Sequence, residues 1–308
     1  MTPDEYTISE LFLEVGDGHT LYVHDWGKQN AETPIIFLHG GPGSGVKDRY
    51  KTTFDPSLQR VIFFDQRGCG KSTPYGSLEH NTTDDLVEDI EKIARLLKLD
   101  TFILTGGSWG SCLALAYGLK YPKRVSAMVL RGIFTGSQAE IDYLDQGHFA
   151  THFPDVWDKY LDATPAAHQK NPGKYHAARI LGNDEQAARE SACTYGNLEG
   201  ALLSLDDRFT PPNPDEYDPT LSKLEVYYMT NRCFMPDRFV MDNAHKLRMP
   251  IWLIQGRYDF VCPPVTAYEL NEKLLNSRLV WTTAGHGNDR PNYDVHRTIL
   301  LQLSGAVQ

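Results

Sequence analysis

The segment that most constrains this chain is five residues long. Gly106-Gly107-Ser108-Trp109-Gly110 joins an apolar run, Phe102–Thr105, to a helical stretch from about Trp109 to Lys120 that stops before Pro122. A serine set between glycines where a strand turns into a helix is held in a strained conformation with its hydroxyl raised above the sheet. The glycines let neighbouring backbone pass where a Cβ would clash. Taken alone the pattern is weak, because a Gly-rich strand–helix turn can be only a turn. Between these two elements it marks Ser108 as a candidate nucleophile.

The surrounding sequence supplies the sheet that such a turn requires. Leu11–Val15 and Leu21–Asp25 flank Gly16-Asp17-Gly18, a hairpin signal. Ile35–Leu38 and Val61–Phe64 are short and nearly all apolar, as parallel strands buried on both faces are. Thr82 or Thr83 can cap a helix through about Lys98, with Leu86, Ile90, Ile93, Leu96 and Leu97 at helical spacing. Val125–Leu130 is a further strand. From about Gly136 to Leu247 the strand–helix alternation stops, and the chain turns aromatic and rich in His, Asp and Pro, helical in pieces. Within it Thr210-Pro211-Pro212-Asn213-Pro214 reads as an exposed loop. Alternation resumes with the strand Ile251–Gln255, a helix around Val265–Leu275, the strand Arg278–Thr282 and a last helix from about Tyr293 to Leu303. A parallel-sheet pattern that pauses and resumes predicts one α/β core, 1–135 and 248–308, carrying an inserted, mainly helical cap, 136–247.

Composition removes several function classes. Of 308 residues 41% are hydrophobic and 23% charged, the balance of an ordinary globular protein. No apolar run approaches the roughly 20 residues that cross a bilayer, and the start Met1-Thr2-Pro3-Asp4-Glu5-Tyr6 is too acidic for a secretory signal. A cytoplasmic protein is therefore expected. The formal net charge of −10, with no local Lys/Arg cluster, disfavours nucleic acid and anionic membrane as partners. Cys69, Cys112, Cys193, Cys233 and Cys262 form no CxxC pair and do not alternate with histidines, so neither zinc nor a disulfide framework is expected. They read as reduced, mostly buried thiols.

A serine hydroxyl needs a base held in place by an acid. In sheets that carry such a serine turn the acid and then the histidine follow it on loops after late strands. Asp259 follows Ile251–Gln255 in Gly256-Arg257-Tyr258-Asp259, and His286 follows Arg278–Thr282 in Ala284-Gly285-His286-Gly287. Asp289 and Asp294 are the rivals for the acid. After Ile35–Leu38 comes His39-Gly40-Gly41-Pro42-Gly43, whose backbone N–H groups, Gly41 above all, can stabilise an oxyanion together with the N–H of Trp109. The same glycines would equally suit a tight turn with no catalytic part, and His39 reads as a structural hydrogen-bonder. Asp65-Gln66-Arg67-Gly68-Cys69-Gly70-Lys71-Ser72 ends like a phosphate loop but lacks that motif's first glycine. A salt-bridged turn supporting the site is the better account.

Together, His-Gly-Gly-Pro-Gly, Asp-Gln-Arg-Gly-x-Gly-x-Ser, Asn81-Thr82-Thr83-x-Asp-Leu-Val, Gly-Gly-Ser-Trp-Gly-Ser and Leu130-Arg131-Gly132-Ile133-Phe134 resemble the proline iminopeptidases. The resemblance is dense from about Leu21 to Phe134, fair in the C-terminal third and thin across 136–247. It implies an α/β-hydrolase fold, release of an N-terminal proline from peptides, and neither metal nor organic cofactor. It further implies two glutamates that bind the substrate's free amine, here Glu199 in Leu198-Glu199-Gly200 and Glu225 in Leu224-Glu225-Val226-Tyr227-Tyr228. Arg131 would neutralise part of that acidic pair, and Phe134 would pack on the proline ring. Taken without the resemblance, each glutamate is an ordinary solvated helix residue.

Three departures from the family pattern bear on substrate choice. Leu198 stands where the family commonly has Trp before the first glutamate. Glu225 is followed by Val226-Tyr227-Tyr228-Met229 in place of Asn-His-Tyr-Phe, and Tyr143 is followed by Leu144 in a segment that is otherwise more aromatic. The expectation is thus a serine aminopeptidase acting on small peptides with a free N-terminus, its strictness for proline open and its oligomeric state not legible. The alternatives are an amidase, esterase or lactone hydrolase on the same scaffold and, in a different class, a small-molecule receptor built on it.

Overall fold

The computed structural model describes residues 5–203, 213, 215, 217–287 and 290–305. Eight strands form one sheet: β1 Thr7–Gly16, β2 His19–Gly27, β3 Ile35–Leu38, β4 Arg60–Phe64, β5 Phe102–Ser108, β6 Val125–Ile133, β7 Ile251–Gly256 and β8 Ser277–Thr282. Their order across the sheet is β1-β2-β4-β3-β5-β6-β7-β8. The hairpin β1–β2 is antiparallel and β2 runs antiparallel to β4. Every pairing from β4 to β8 is parallel.

The continuous apolar runs follow from cover on both faces. Ile36 and Leu38 of β3 join a core with Leu104 of β5 and with the inner stripes of α1 Thr83–Leu96 and α2 Trp109–Lys120. Ile35 and Phe37, pointing the other way, pack with Ile103 and with Ile299 and Leu300 near the C-terminal end of the described chain. The period of two along each strand thus divides one run between two cores. Of the two threonines able to cap α1, the cap is Thr82: its hydroxyl accepts from the Asp85 N–H, and the Asp85 carboxylate accepts from the Thr82 N–H. Strand β5 continues three residues past its apolar run, because Gly106 and Gly107 pair with Leu130 and Arg131 of β6.

Between β6 and β7 the described residues contain helices and no strand: α3 Gln138–Asp145, α4 Pro154–Asp162, α5 Pro172–Ile180, α6 Glu185–Leu202, α7 Thr220–Thr230 and α8 Phe239–Asn243. Ala177 and Ile180 of α5, Ala192 and Tyr195 of α6 and Val226 of α7 close a small apolar cluster of their own. The Thr210–Pro214 loop lies outside the described residues except for Asn213. After β7 come α9 Pro264–Lys273, then β8, then α10 Arg290–Leu303, which starts three residues before the hydrophobic pattern does. All five cysteines are buried, and none is joined in a disulfide. Among the described residues no helix is long and apolar enough to cross a membrane, and no group of three His, Cys, Asp or Glu side chains is placed to hold a metal ion.

Candidate active site

Ser108 ends β5 and caps α2 with φ 57° and ψ −129°. A non-glycine residue held there costs about 1–3 kcal/mol and persists only because its surroundings over-determine it. Here the determinant is the end of β3. A Cβ on Gly106 would lie 2.6 Å from the Leu38 carbonyl oxygen, and one on Gly110 would lie 2.2 Å from it. Neither position tolerates a side chain, so Ser108 is carried up between them. Trp109 opens α2, where first-turn N–H groups have no intrahelical acceptor.

The His39–Gly43 loop lies against this turn. A Cβ on Gly40 would be 3.3 Å from the Gly107 carbonyl and 3.5 Å from the Ser108 Cβ, and Gly41, at φ 104°, lines the same pocket as Ser108. Gln66 ties the two segments together. Its side-chain amide donates to the His39 carbonyl (3.0 Å), and its side-chain oxygen accepts from the Trp109 indole (2.9 Å). Its backbone N–H donates to His39 Nε2 (3.0 Å). Burial pushes the His39 imidazole below its ordinary pKa, and a neutral ring that accepts there is a structural hydrogen-bonder. The loop from Asp65 to Ser72 is the salt-bridged turn expected. Asp65 accepts from the N–H groups of Val46 (2.6 Å) and Lys71 (2.7 Å), and Arg67 donates twice to the buried Asp89 (2.6 and 2.8 Å).

From the ends of β7 and β8 come Asp259 and His286, both buried. The His286 Nδ1–H donates to the Asp259 carboxylate at 2.9 and 3.1 Å. Three further donors fix that carboxylate: the N–H groups of Val261 (3.0 Å) and Cys262 (2.7 Å) on Oδ1, and the Gln255 amide (3.1 Å) on Oδ2. Gln255 cannot turn over, because its oxygen accepts from Ile133 N–H and its nitrogen also donates to the Cys262 carbonyl. Of the rival acids, Asp294 is exposed on α10 and pairs with Arg290 at 3.5 Å, while Asp289 lies outside the described residues.

Two residues to which the sequence reading gave no role complete this assembly. Gly132, at φ 50°, gives the imidazole room: a Cβ there would sit 3.0 Å from His286 Cε1 and 3.5 Å from Asp259 Oδ2. Asn292, buried on α10, donates to the carbonyls on either side of His286, Gly285 (3.1 Å) and Gly287 (2.9 Å). Its own oxygen accepts from the Thr282 hydroxyl.

Ser108 and Gly41 share their pocket with Phe134, Glu199 and Glu225. The two glutamates, from α6 and α7, stand close enough for each carboxyl to act on the other. Burial raises both above the ordinary carboxylate range. For Glu225 the Glu199 charge adds to this, whereas the His286 ring pulls Glu199 back down. Arg131 is not where the resemblance put it. Its guanidinium lies over Gly107, 2.7 Å from where a Cβ would stand, and donates to the His286 carbonyl at 3.3 Å. No ion pair links it to either glutamate among the described residues, because on β6 it points behind the histidine loop and away from the pocket. Two further acids that sequence reasoning missed also line the pocket, Glu140 and Asp145, both on α3. The only advance signal for Asp145 was its place directly after the altered Tyr143-Leu144 pair.

A strained serine at a strand–helix turn, with an imidazole–carboxylate pair raised from two later strands of the same parallel sheet, defines a hydrolase of the α/β-hydrolase fold. The family model described as alpha/beta hydrolase fold matches residues 33–288. Proline iminopeptidase of Arabidopsis thaliana is 38% identical over 288 residues, covering 91% of this chain and 75% of that protein. Proline iminopeptidase of Neisseria gonorrhoeae is 36% identical over 283 residues, covering 89% of each. The chain belongs to the proline iminopeptidase family of α/β-hydrolases. Among solved structures, proline iminopeptidase of Mycobacterium smegmatis superposes with a TM-score of 0.61 over 96% of this chain and 98% of that one, at 19% identity. At that identity the likeness concerns the fold alone.

Proposed function

We propose that this protein is a serine aminopeptidase that releases the N-terminal residue, proline foremost, from small peptides. Ser108 Oγ attacks the carbonyl carbon of that residue while His286 Nε2 takes the hydroxyl proton, Nδ1 being committed to Asp259. Asp259 holds the tautomer and stabilises the imidazolium. The N–H groups of Gly41 and Trp109 hold the oxyanion. Collapse of the tetrahedral intermediate breaks the peptide bond, and His286 returns its proton to the departing amine. Water, activated by the same histidine, then frees the acyl group from Ser108. Residues 136–247 act as a cap over a core of 1–135 and 248–308, and Phe134 supplies an apolar wall for the pyrrolidine ring.

The observation that carries this reading is the carboxyl pair Glu199–Glu225 in the same pocket as Ser108. Two neighbouring carboxyls are costly to bury without a cation, and an ammonium entering a closed pocket needs the counter-charge and acceptors they provide. Acetylating the substrate amine removes that cation and leaves the pair uncompensated. N-acetylprolyl reporters should therefore be cleaved at least ~10³-fold less efficiently than prolyl ones. Glu199→Gln and Glu225→Gln should lower kcat/KM for the prolyl reporter far more than for nitrophenyl acetate. Equal cleavage of blocked and free substrates would make the protein an esterase or amidase instead.

A further inference from the structure

Glu225 belongs to a stripe along α7. Leu221, Leu224, Glu225 and Tyr228 recur at the i, i+3, i+4, i+7 spacing of one helical face. Ser222 and Val226 serve another face: the Ser222 hydroxyl donates to the Ala192 carbonyl (3.1 Å), and Val226 joins the apolar cluster of α5 and α6. The stripe instead meets the glycine loop that follows β3. A Cβ on Gly41 would lie 3.1 Å from Leu221 Cδ1, and one on Gly43 would lie 2.9 Å from Leu224 Cδ1 and 3.0 Å from its Cβ. Leu224, fully buried, also reaches the Asp65–Ser72 turn, 3.2 Å from where a Cβ on Gly68 would stand. One turn further on, Tyr228 lies edge-on to the Trp109 ring, with centroids 4.8 Å apart at 66°. Its hydroxyl donates to Asn81 Oδ1 (2.8 Å), and the Asn81 amide donates to the carbonyls of Arg67 (3.2 Å) and Ser77 (3.0 Å).

Hydrogen bonds fix the ends of the glycine loop and leave its middle to packing. Gln66 holds the His39 carbonyl, and the Ser44 N–H donates to the Gly40 carbonyl at 3.3 Å. Among the described residues no protein acceptor engages the N–H of Gly41 or of Gly43. An oxyanion donor must be free in this way, so its position relative to Ser108 is set by what the loop leans on. On one side that is the Gly107–Ser108 turn, on the other Leu221 and Leu224. The far end of α7 is pinned as well. Arg232, Cys233 and Phe234 take φ 53°, 50° and 52° in succession, a left-handed turn that L-residues resist. Such strain persists only where the surroundings over-determine it, and here the Thr83 hydroxyl, at the start of α1, donates to the Cys233 carbonyl. Resting on the oxyanion assignment above, we propose that Leu224 and Leu221 are positioning residues that seat Gly41 for the oxyanion. Helix α7 then supports catalysis on every acyl substrate, and not only recognition of a free amine.

The test separates the two roles of α7 with a substrate that has no amine. Leu224→Ala empties the space beside Gly43 and Gly68, and a shift of about 1 Å in a catalytic group can cost ~10²-fold. Its kcat should fall by about ten- to a hundredfold on both a prolyl reporter and nitrophenyl acetate, with KM little changed. Rates are taken per active site, counted by fluorophosphonate labelling run to completion. Prolinal accepts Ser108 Oγ at its carbonyl carbon, the hydroxyl proton passing to His286 and the carbonyl oxygen becoming an oxyanion. Its inhibition should weaken by a similar factor, while prolinol, which forms no oxyanion, should bind as before. Leu224→Met, similar in volume, should restore the wild-type rate. Leu221→Ala, at a half-buried position, should show a smaller loss of the same kind, and decides the question if Leu224→Ala does not fold. A loss confined to the prolyl reporter, or an equal loss of prolinol and prolinal, would overturn the inference and leave α7 an amine-binding element alone. A wild type that cleaves nitrophenyl acetate but no prolyl reporter sinks the aminopeptidase reading, and the ester rates then decide the inference by themselves. A wild type inert towards both refutes the two together.

Discussion

Asp259→Asn isolates the role of the acid, because the structure fixes which way the new amide must face. Oδ1 of Asp259 accepts from the N–H groups of Val261 and Cys262, at 3.0 and 2.7 Å. An asparagine oxygen must stay there, since an NH2 group would oppose two donors. The NH2 group is therefore forced into the Oδ2 position, facing His286 Nδ1 at 2.9 Å and the Gln255 amide at 3.1 Å. It donates to Nδ1, the imidazole proton moves to Nε2, and the ring can no longer accept the Ser108 proton. Loss of the working tautomer with geometry intact is worth roughly 10⁴-fold in kcat. Gln255 is held on both sides and cannot turn over, so one buried hydrogen bond becomes a donor–donor contact, at about 1–3 kcal/mol of stability. Steady-state kinetics on a prolyl reporter, with denaturant unfolding of the same preparation, reads both effects. A folded Asp259→Asn variant within tenfold of wild type would refute the assignment. An inactive Asp289→Asn beside it would name the acid instead.

Ser108→Ala should abolish fluorophosphonate labelling and lower turnover by ~10³-fold or more, leaving the contribution of the oxyanion site and binding; mass spectrometry of the labelled peptide checks the position. Asn292→Ala removes the donor shared by the carbonyls of Gly285 and Gly287 and lets the His286 loop drift. Because a misplacement of about 1 Å can cost ~10²-fold, kcat should fall by one to two orders of magnitude with KM little changed. A parallel rise in KM, or loss only of thermal stability, would show that Asn292 serves the fold and not the histidine.

Legibility of this molecule in its sequence follows how many faces each element buries. Ile35–Leu38 is a strand with the bounds its apolar run suggests, and Trp109–Lys120 a helix with the bounds of its flanking signals. The strand is buried throughout and the helix from Trp109 to Gly118, so little that is polar interrupts their pattern. The helices between β6 and β7 serve two masters. Helix α6 turns Ala192 and Leu198 to apolar neighbours while Tyr195 and Glu199 face the pocket, which blurs the period of 3.6. Glu199 was consequently reachable only through resemblance and Asp145 not at all, an acid on a helix being ordinarily a solvated one. Arg131 failed for a different reason. Its place on β6 could be read from the run Val125–Leu130, but which face of the sheet it takes depends on register. The shift that pairs Gly107 with Arg131 and Ser108 with Ile133 is set by the serine turn itself. That irregularity leaves Gly132 beside the imidazole and sends Arg131 behind it. The strained turn announced by Gly106–Gly110 thus explains both what the sequence shows plainly, the nucleophile, and what it conceals, the surroundings of the base.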